Sequence, residues 1–173
     1  MRRRFVIAAL ALGLASPAAG TPARGHERQT AMPSLAQRIL VLLNRVRIQH
    51  GLAPLELDPT LTHAASRHTS EMLRDGYFGH DSANGASFTT RLAPYTEGGA
   101  GRWSVAENLL WASGPLDADR AIAIWMESPE HRANILAPRW RQIGIAVIHA
   151  DRAPGYYGNH GATVVTTDFG ARG

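Results

Sequence analysis

Apolar positions recur every three to four residues through the middle of the chain and every second residue near its end. Leu35, Ile39, Leu42, Leu43 and Val46 lie on one helical face, opened by Ser34-Leu-Ala-Gln37, which has the form of a capping box, and stopped by Gly51. Asp58-Pro59 opens a second helix with Leu61, Ala64, Ala65, His68 and Met72 on one face, and Asp75-Gly76 closes it. His63 and His68 are five residues apart, so they do not share a helical face and read as separate helix histidines. Ser87–Leu92 predicts a short helix, Ser104–Trp111 a strand or extended turn, and Leu116–Trp125 a further helix. Ser128-Pro129 repeats the helix-start signature, so the helix breaks there and begins again. The period then changes: Ile143–Ile148 and Ala162–Phe169 read as two strands of an antiparallel pair, with a turn region over Ala150–Gly161. Helices followed by strands predict an α+β fold.

The first residues have a different logic. Arg2, Arg3 and Arg4 precede an apolar run, Phe5–Ala15, and then Ser16, Ala18, Ala19 and Gly20. This is the layout of a cleavable signal peptide over 1–20, with an apolar run too short to span a bilayer. Residues 21–33 lack apolar periodicity and predict a disordered mature N-terminus; the folded domain is expected over 34–170. No later stretch is long and apolar enough to be a transmembrane segment, so the expected location is secreted or periplasmic. Removing the three arginines takes the formal charge of +4 to near +1, and without a basic stripe nucleic acid is not an expected partner. The chain has no cysteine, which excludes disulfides, thiolate metal sites and cysteine nucleophiles. The Gly98-Gly99-Ala-Gly101 cluster has neither a preceding strand nor a following Lys-Ser/Thr, so it reads as a loop and not as a phosphate cradle.

Candidate chemistry concentrates in Trp125–Leu136, where Glu127, Ser128, Glu130, His131, Arg132 and Asn134 lie between apolar ends. Glu107 and Asn108 interrupt the apolar run from Val105 to Leu110, and a carboxylate there needs a partner. His80, His131 and Glu107 come from separate segments; imidazole and carboxylate ligands suit Zn2+, and three of them leave an open position. A buried polar network that fixes loops is the alternative for the same residues. No Gly-x-Ser-x-Gly, His-Glu-x-x-His or Ser-x-x-Lys pattern is present.

The ordered set Asn44-Arg45-Val-Arg, Phe78-Gly-His80, Ala106-Glu-Asn108, Trp125-x-x-Ser-Pro-x-His-Arg-x-Asn-Ile-Leu136 and Ile143-Gly144 resembles the CAP superfamily of cysteine-rich secretory, antigen-five and pathogenesis-related proteins, in its bacterial SCP-domain branch. The resemblance spans Ser34–Phe169. It implies an α-β-α sandwich with a small antiparallel sheet between helical layers, and a cleft where His80, Glu107 and His131 converge, with Asn108, Glu127, Ser128 and Glu130 around them. Ser128 stands where eukaryotic members carry a second glutamate, so the four-residue set is incomplete. The resemblance implies a secreted binding module for a small apolar or envelope-derived ligand, or for a protein partner. A zinc-dependent hydrolase using the same cleft, and a structural His–Glu network with function elsewhere, stand as alternatives. Fold does not by itself decide among them.

Overall fold

The computed structural model describes residues 34–97, 102–114 and 116–172. The chain divides into Met1–Ala31 and Met32–Gly173, and all described residues belong to the second unit. The expected signal peptide over 1–20, the N-terminal stretch 21–33 and the glycine cluster 98–101 lie outside the described residues.

Helix α1 (Leu35–Gln49) starts from the expected capping box: Gln37 N donates to Ser34 Oγ at 3.2 Å and Ser34 N donates to Gln37 Oε1 at 2.7 Å. A two-residue strand β1 (Glu56–Leu57) leads into α2 (Pro59–Asp75), whose first free amides, Thr60 N and Leu61 N, donate to Asp58 Oδ1. Gly76 ends α2 in the left-handed conformation, with φ 71°. Two short helices, α3 (Phe88–Arg91) and α4 (Ala93–Glu97), precede strand β2 (Trp103–Ala112). Helix α5 (Ala118–Glu127) begins two residues later than its apolar pattern predicts, because the Asp117 carboxylate accepts from Arg120 N and fixes the start there. Ser128, with extended backbone, separates α5 from α6 (Pro129–Ile135), as the Ser-Pro pair predicts. The Ser128 side chain makes no capping bond, so the break rests on backbone conformation and on Pro129. Strands β3 (Gln142–Ala153) and β4 (His160–Arg172) run beyond the predicted spans, across polar residues such as His149 and Asp151, and shorten the expected turn region to Pro154–Asn159.

The sheet order is β1-β3-β4-β2. The three long strands are antiparallel, and β1 adds a parallel edge of two residues. Side chains alternate across this sheet. On one face Leu110, Ile143, Ile145, Val165 and Phe169 pack with α1, α5 and α6 around the fully buried Trp125 and Trp140. On the other, Leu109 and Val164 pack with Met72 and Leu73 of α2. The result is an α-β-α sandwich. Arg47, in the Asn-Arg-Val-Arg motif, ties the first layer together: its buried guanidinium donates to the carbonyls of Ala53, Ile135, Ala137 and Trp140. Burial lowers its pKa, and four carbonyl acceptors compensate the desolvated charge.

Candidate functional site

The site forms at edge strand β2. Residues Glu107 and Asn108 are neighbours in sequence, so they point to opposite faces. Glu107 lies on the α2 side with its side chain 1 % exposed. His80 Nδ1 bonds one of its oxygens at 2.9 Å, and Arg91 donates to the other at 2.6 Å. Arg91 also donates to the carbonyl of His80 at 3.1 Å, so one guanidinium fixes both the acid and the loop that carries its histidine. His68, buried in α2, holds the same loop one residue earlier through a 2.9 Å bond to the Gly79 carbonyl. His68 lies within α2, where the sequence reading puts it. His63 lies on the outer, exposed face of the helix.

Asp168 is the register partner of Glu107 on β4 and is completely buried. Neither of its oxygens meets a donor among the described residues. Burial, and then the neighbouring Glu107 charge, push its pKa well above the carboxylate range. The raised pKa favours the protonated form of Asp168, in which the carboxyl proton can face Glu107. Because the folded-state pKa is raised, Asp168 contributes stability below its unfolded value, and this contribution is lost as pH rises toward the folded pKa. Asp168→Asn keeps a donor at every pH. It is expected to match the wild type near pH 3 and to exceed it by about 1–3 kcal/mol at pH 8. Urea denaturation across that range checks this; an equal loss at all pH values would contradict a protonated Asp168.

Asn108, on the opposite face, is a bracket for α6. Its amide donates to the His131 carbonyl at 3.0 Å, and Asn134 donates to Asn108 Oδ1 at 2.8 Å. This holds His131 beside the strand edge. Burial lowers the His131 pKa, and the His80 charge lowers it further, whereas the bond to Glu107 raises that of His80. The two imidazoles are within electrostatic reach and are driven in opposite directions, His131 toward neutral and His80 toward charged. The Nδ1 of His131 is buried without a partner among the described residues.

Of the predicted cleft residues, the structure joins His80 directly to Glu107 and brings His131 near His80. Glu130 is exposed and acts on His131 only through its charge. Glu127 turns away and lines a separate depression with Met126, Pro129 and Arg132. Ser128 makes no hydrogen bond within the cluster, and Asn108 faces the helix layer. Among the described residues no group of three or more His, Asp or Glu is arranged to hold a metal ion. Both Glu107 oxygens are engaged, one by His80 and one by Arg91, so the Arg91 charge lies beside the carboxylate.

Arg91 and Asp168 stand around Glu107 and were passed over by the sequence reading. Asp168 carried a usable signal, a carboxylate inside a Val/Thr strand, the same cue that singles out Glu107. A ring cluster next to the site was also missed. Phe78, two residues before His80, stacks on Tyr156 with centroids 5.7 Å apart, and Trp111 meets Tyr156 edge-on at 5.7 Å. Tyr156 is 58 % exposed. Trp111 shares the Glu107 face of β2 and lies four residues further on, about 13 Å along the strand.

The family comparison matches this construction. The model of the cysteine-rich secretory protein (CAP) family covers residues 40–167, and the chain belongs to that family. It is 28% identical over 139 residues to the uncharacterized protein YkwD of Bacillus subtilis (strain 168), covering 79% of this chain and 52% of YkwD. It is 32% identical over 111 residues to the uncharacterized membrane protein YlbC of the same organism, covering 64% of this chain and 31% of YlbC. The chain thus spans about half the length of the first relative and under a third of the second. Among solved structures, an extracellular protein containing an SCP domain from Bacillus anthracis str. Ames superposes with a TM-score of 0.60 at 27% identity, covering 79% of this chain and 40% of that one. An outer surface protein from Borrelia burgdorferi superposes with a TM-score of 0.63 at 18% identity, covering 78% of this chain and 90% of that one, a likeness of fold. No helix among the described residues is long and apolar enough to cross a membrane.

Proposed function

We propose that this CAP domain is an exported, non-catalytic binding module whose ligand is amphipathic and envelope-derived. The supporting observation is the combination at one edge of β2 of an engaged acid and an exposed ring cluster. Glu107 is committed on both oxygens, so it has little freedom to act as a base. What the site offers a ligand is the His80 and His131 imidazoles at one end and the Phe78, Trp111 and Tyr156 rings at the other. Such a surface suits a molecule with a flat apolar body and a polar head, since aromatic side chains supply apolar area with directional faces. Export accords with the extracellular description of the Bacillus anthracis neighbour.

The test is a binding screen with sterols, fatty acids and peptidoglycan fragments, read by tryptophan fluorescence and calorimetry with and without EDTA. Binding that survives EDTA and weakens about tenfold in Tyr156→Ala, the loss of roughly 1.4 kcal/mol, is the expected result. Absence of binding to every class would overturn the proposal.

The opposed pKa shifts of the two histidines favour a second reading, hydrolysis with His80 as acid and His131 as base. A metal-dependent form of it requires Glu107 to leave Arg91. Calorimetry with zinc chloride decides that form: zinc binding abolished in His80→Ala and His131→Ala would replace the binding-module reading with it.

A further inference from the structure

A further concavity of the described residues lies away from His80 and His131. It is a groove of about 550 Å³ between the outer face of α2 and the segment from Ser82 to Pro94. Its floor is a helical stripe, with Ser66, Arg67, Ser70 and Glu71 one turn apart, bounded by His63 and Arg74. From His63 to Arg74 the helix rises about 16 Å, long enough for an extended chain of several units. The opposite wall carries Ser82, Asn84, Thr90 and Arg91. Ala86 and Pro94 are the only apolar residues in its lining; the others carry hydroxyl, amide, imidazole or charged groups.

The charges of the groove are mostly committed. Arg74 donates to Asp75 through Nε at 2.7 Å and through its terminal nitrogen at 2.6 Å. Arg91 is held by Glu107, and Glu71 accepts from Ser82 Oγ at 3.1 Å. Arg67 has no hydrogen bond or ion pair among the described residues, so it is the one uncommitted cation at mid-groove. In the wall, the Arg91 Nε is a further donor without an acceptor, on a side chain only 7 % exposed. Serine and threonine hydroxyls donate and accept, as does the Asn84 amide, which matches the two-way hydrogen bonding of sugar hydroxyls. An arginine fork matches a carboxylate. One free cation beside a fixed Glu71 charge suits a polymer with sparse acidic groups, not one charged at every unit.

We infer that the α2 groove binds an acidic glycan that carries a carboxylate on only some of its sugars, seated on Arg67 with its hydroxyls against the serine-lined floor. This site does not depend on the reading of the β2 edge, because neither His80 nor His131 lines the groove.

The probe is a hyaluronan hexasaccharide, with one carboxylate per disaccharide, titrated into the whole domain by calorimetry and amide NMR. Chitohexaose serves as the uncharged control and a heparin hexasaccharide as the densely charged one. Hyaluronan is expected to shift amides of α2 and of residues 82–94, and to bind at least tenfold more tightly than chitohexaose and no less tightly than heparin. Arg67→Ala is expected to weaken it at least tenfold, and Ser70→Leu, which fills the floor, to abolish it. Both positions are exposed, so melting temperatures should stay at the wild-type value. His131→Ala should leave this binding unchanged while altering any ligand of the β2 edge, which separates failure here from failure of the binding-module proposal. No hyaluronan binding, equal affinity in Arg67→Ala, parity with chitohexaose, or tighter heparin binding would each overturn the assignment.

Discussion

Arg91→Met is expected to destabilise the domain by about 3–5 kcal/mol at pH 7, the range for removing one partner of a buried ion pair. The reason is the local charge balance. Glu107 and Asp168 lie opposite each other on adjacent strands, both buried, and the Arg91 guanidinium is the permanent positive charge in contact with Glu107. Methionine keeps much of the volume and removes the charge, leaving the Glu107 carboxylate with only the half-exposed His80. The deficit should shrink in acid, where carboxyl groups are protonated in the folded and unfolded chains alike. Adding Asp168→Asn should recover part of it, because residues in contact are not additive. Urea denaturation of the two single variants and the double variant at pH 4 and pH 7 checks all three statements. A deficit under about 1 kcal/mol at pH 7, typical of an exposed pair, would show that Arg91 does not neutralise the site.

The second large effect is expected at Gly144, in the Ile-Gly pair of β3. A Cβ there would lie 2.1 Å from the Leu61 carbonyl carbon and 2.3 Å from the Thr62 amide nitrogen. Both are backbone atoms at the start of α2, so no side-chain rotation relieves the clash. Gly144→Ala must push the helix off the sheet and is expected to cost on the order of 4 kcal/mol, or to prevent folding. Gly144 is also the β3 partner of Asp168, so this close approach of α2 to the sheet lies in the same row as the buried acid pair. Thermal melting checks the loss, and near-wild-type stability would mean that α2 can shift without cost.

Local signals made most elements legible. The capping box at Ser34, the Asp58-Pro59 start, the Ser128-Pro129 break and the change of period at Ile143 each rest on residues within one turn or strand. The rule that a carboxylate among apolar residues needs a partner marks Glu107, while its convergence with His80 is what the family resemblance implies. Arg91 was illegible because it lies sixteen residues from Glu107 in a one-turn helix, and nothing local marks it as that partner. Asn108 was grouped with the cleft through its motif, although strand alternation alone places it opposite Glu107. Glu127 illustrates the reverse: the helix break at Ser128 already implied that it need not share a face with His131. The ring cluster depends on the β3–β4 turn folding Tyr156 back onto Phe78, a contact 78 residues apart that no short window contains.

The order of the sheet also sets when the domain can exist during synthesis. Strand β4 pairs with β2 along ten residues and with β3 along most of its length, and of these four strands it is made last. Until it leaves the ribosome, β2 has no strand partner and β3 has only the two residues of β1. The nascent chain therefore holds helices without a sheet, and its contacts, widely separated in sequence, close late and together. A ribosome stalled with β4 still in the exit tunnel would carry a chain open to protease, and release of β4 would make it resistant.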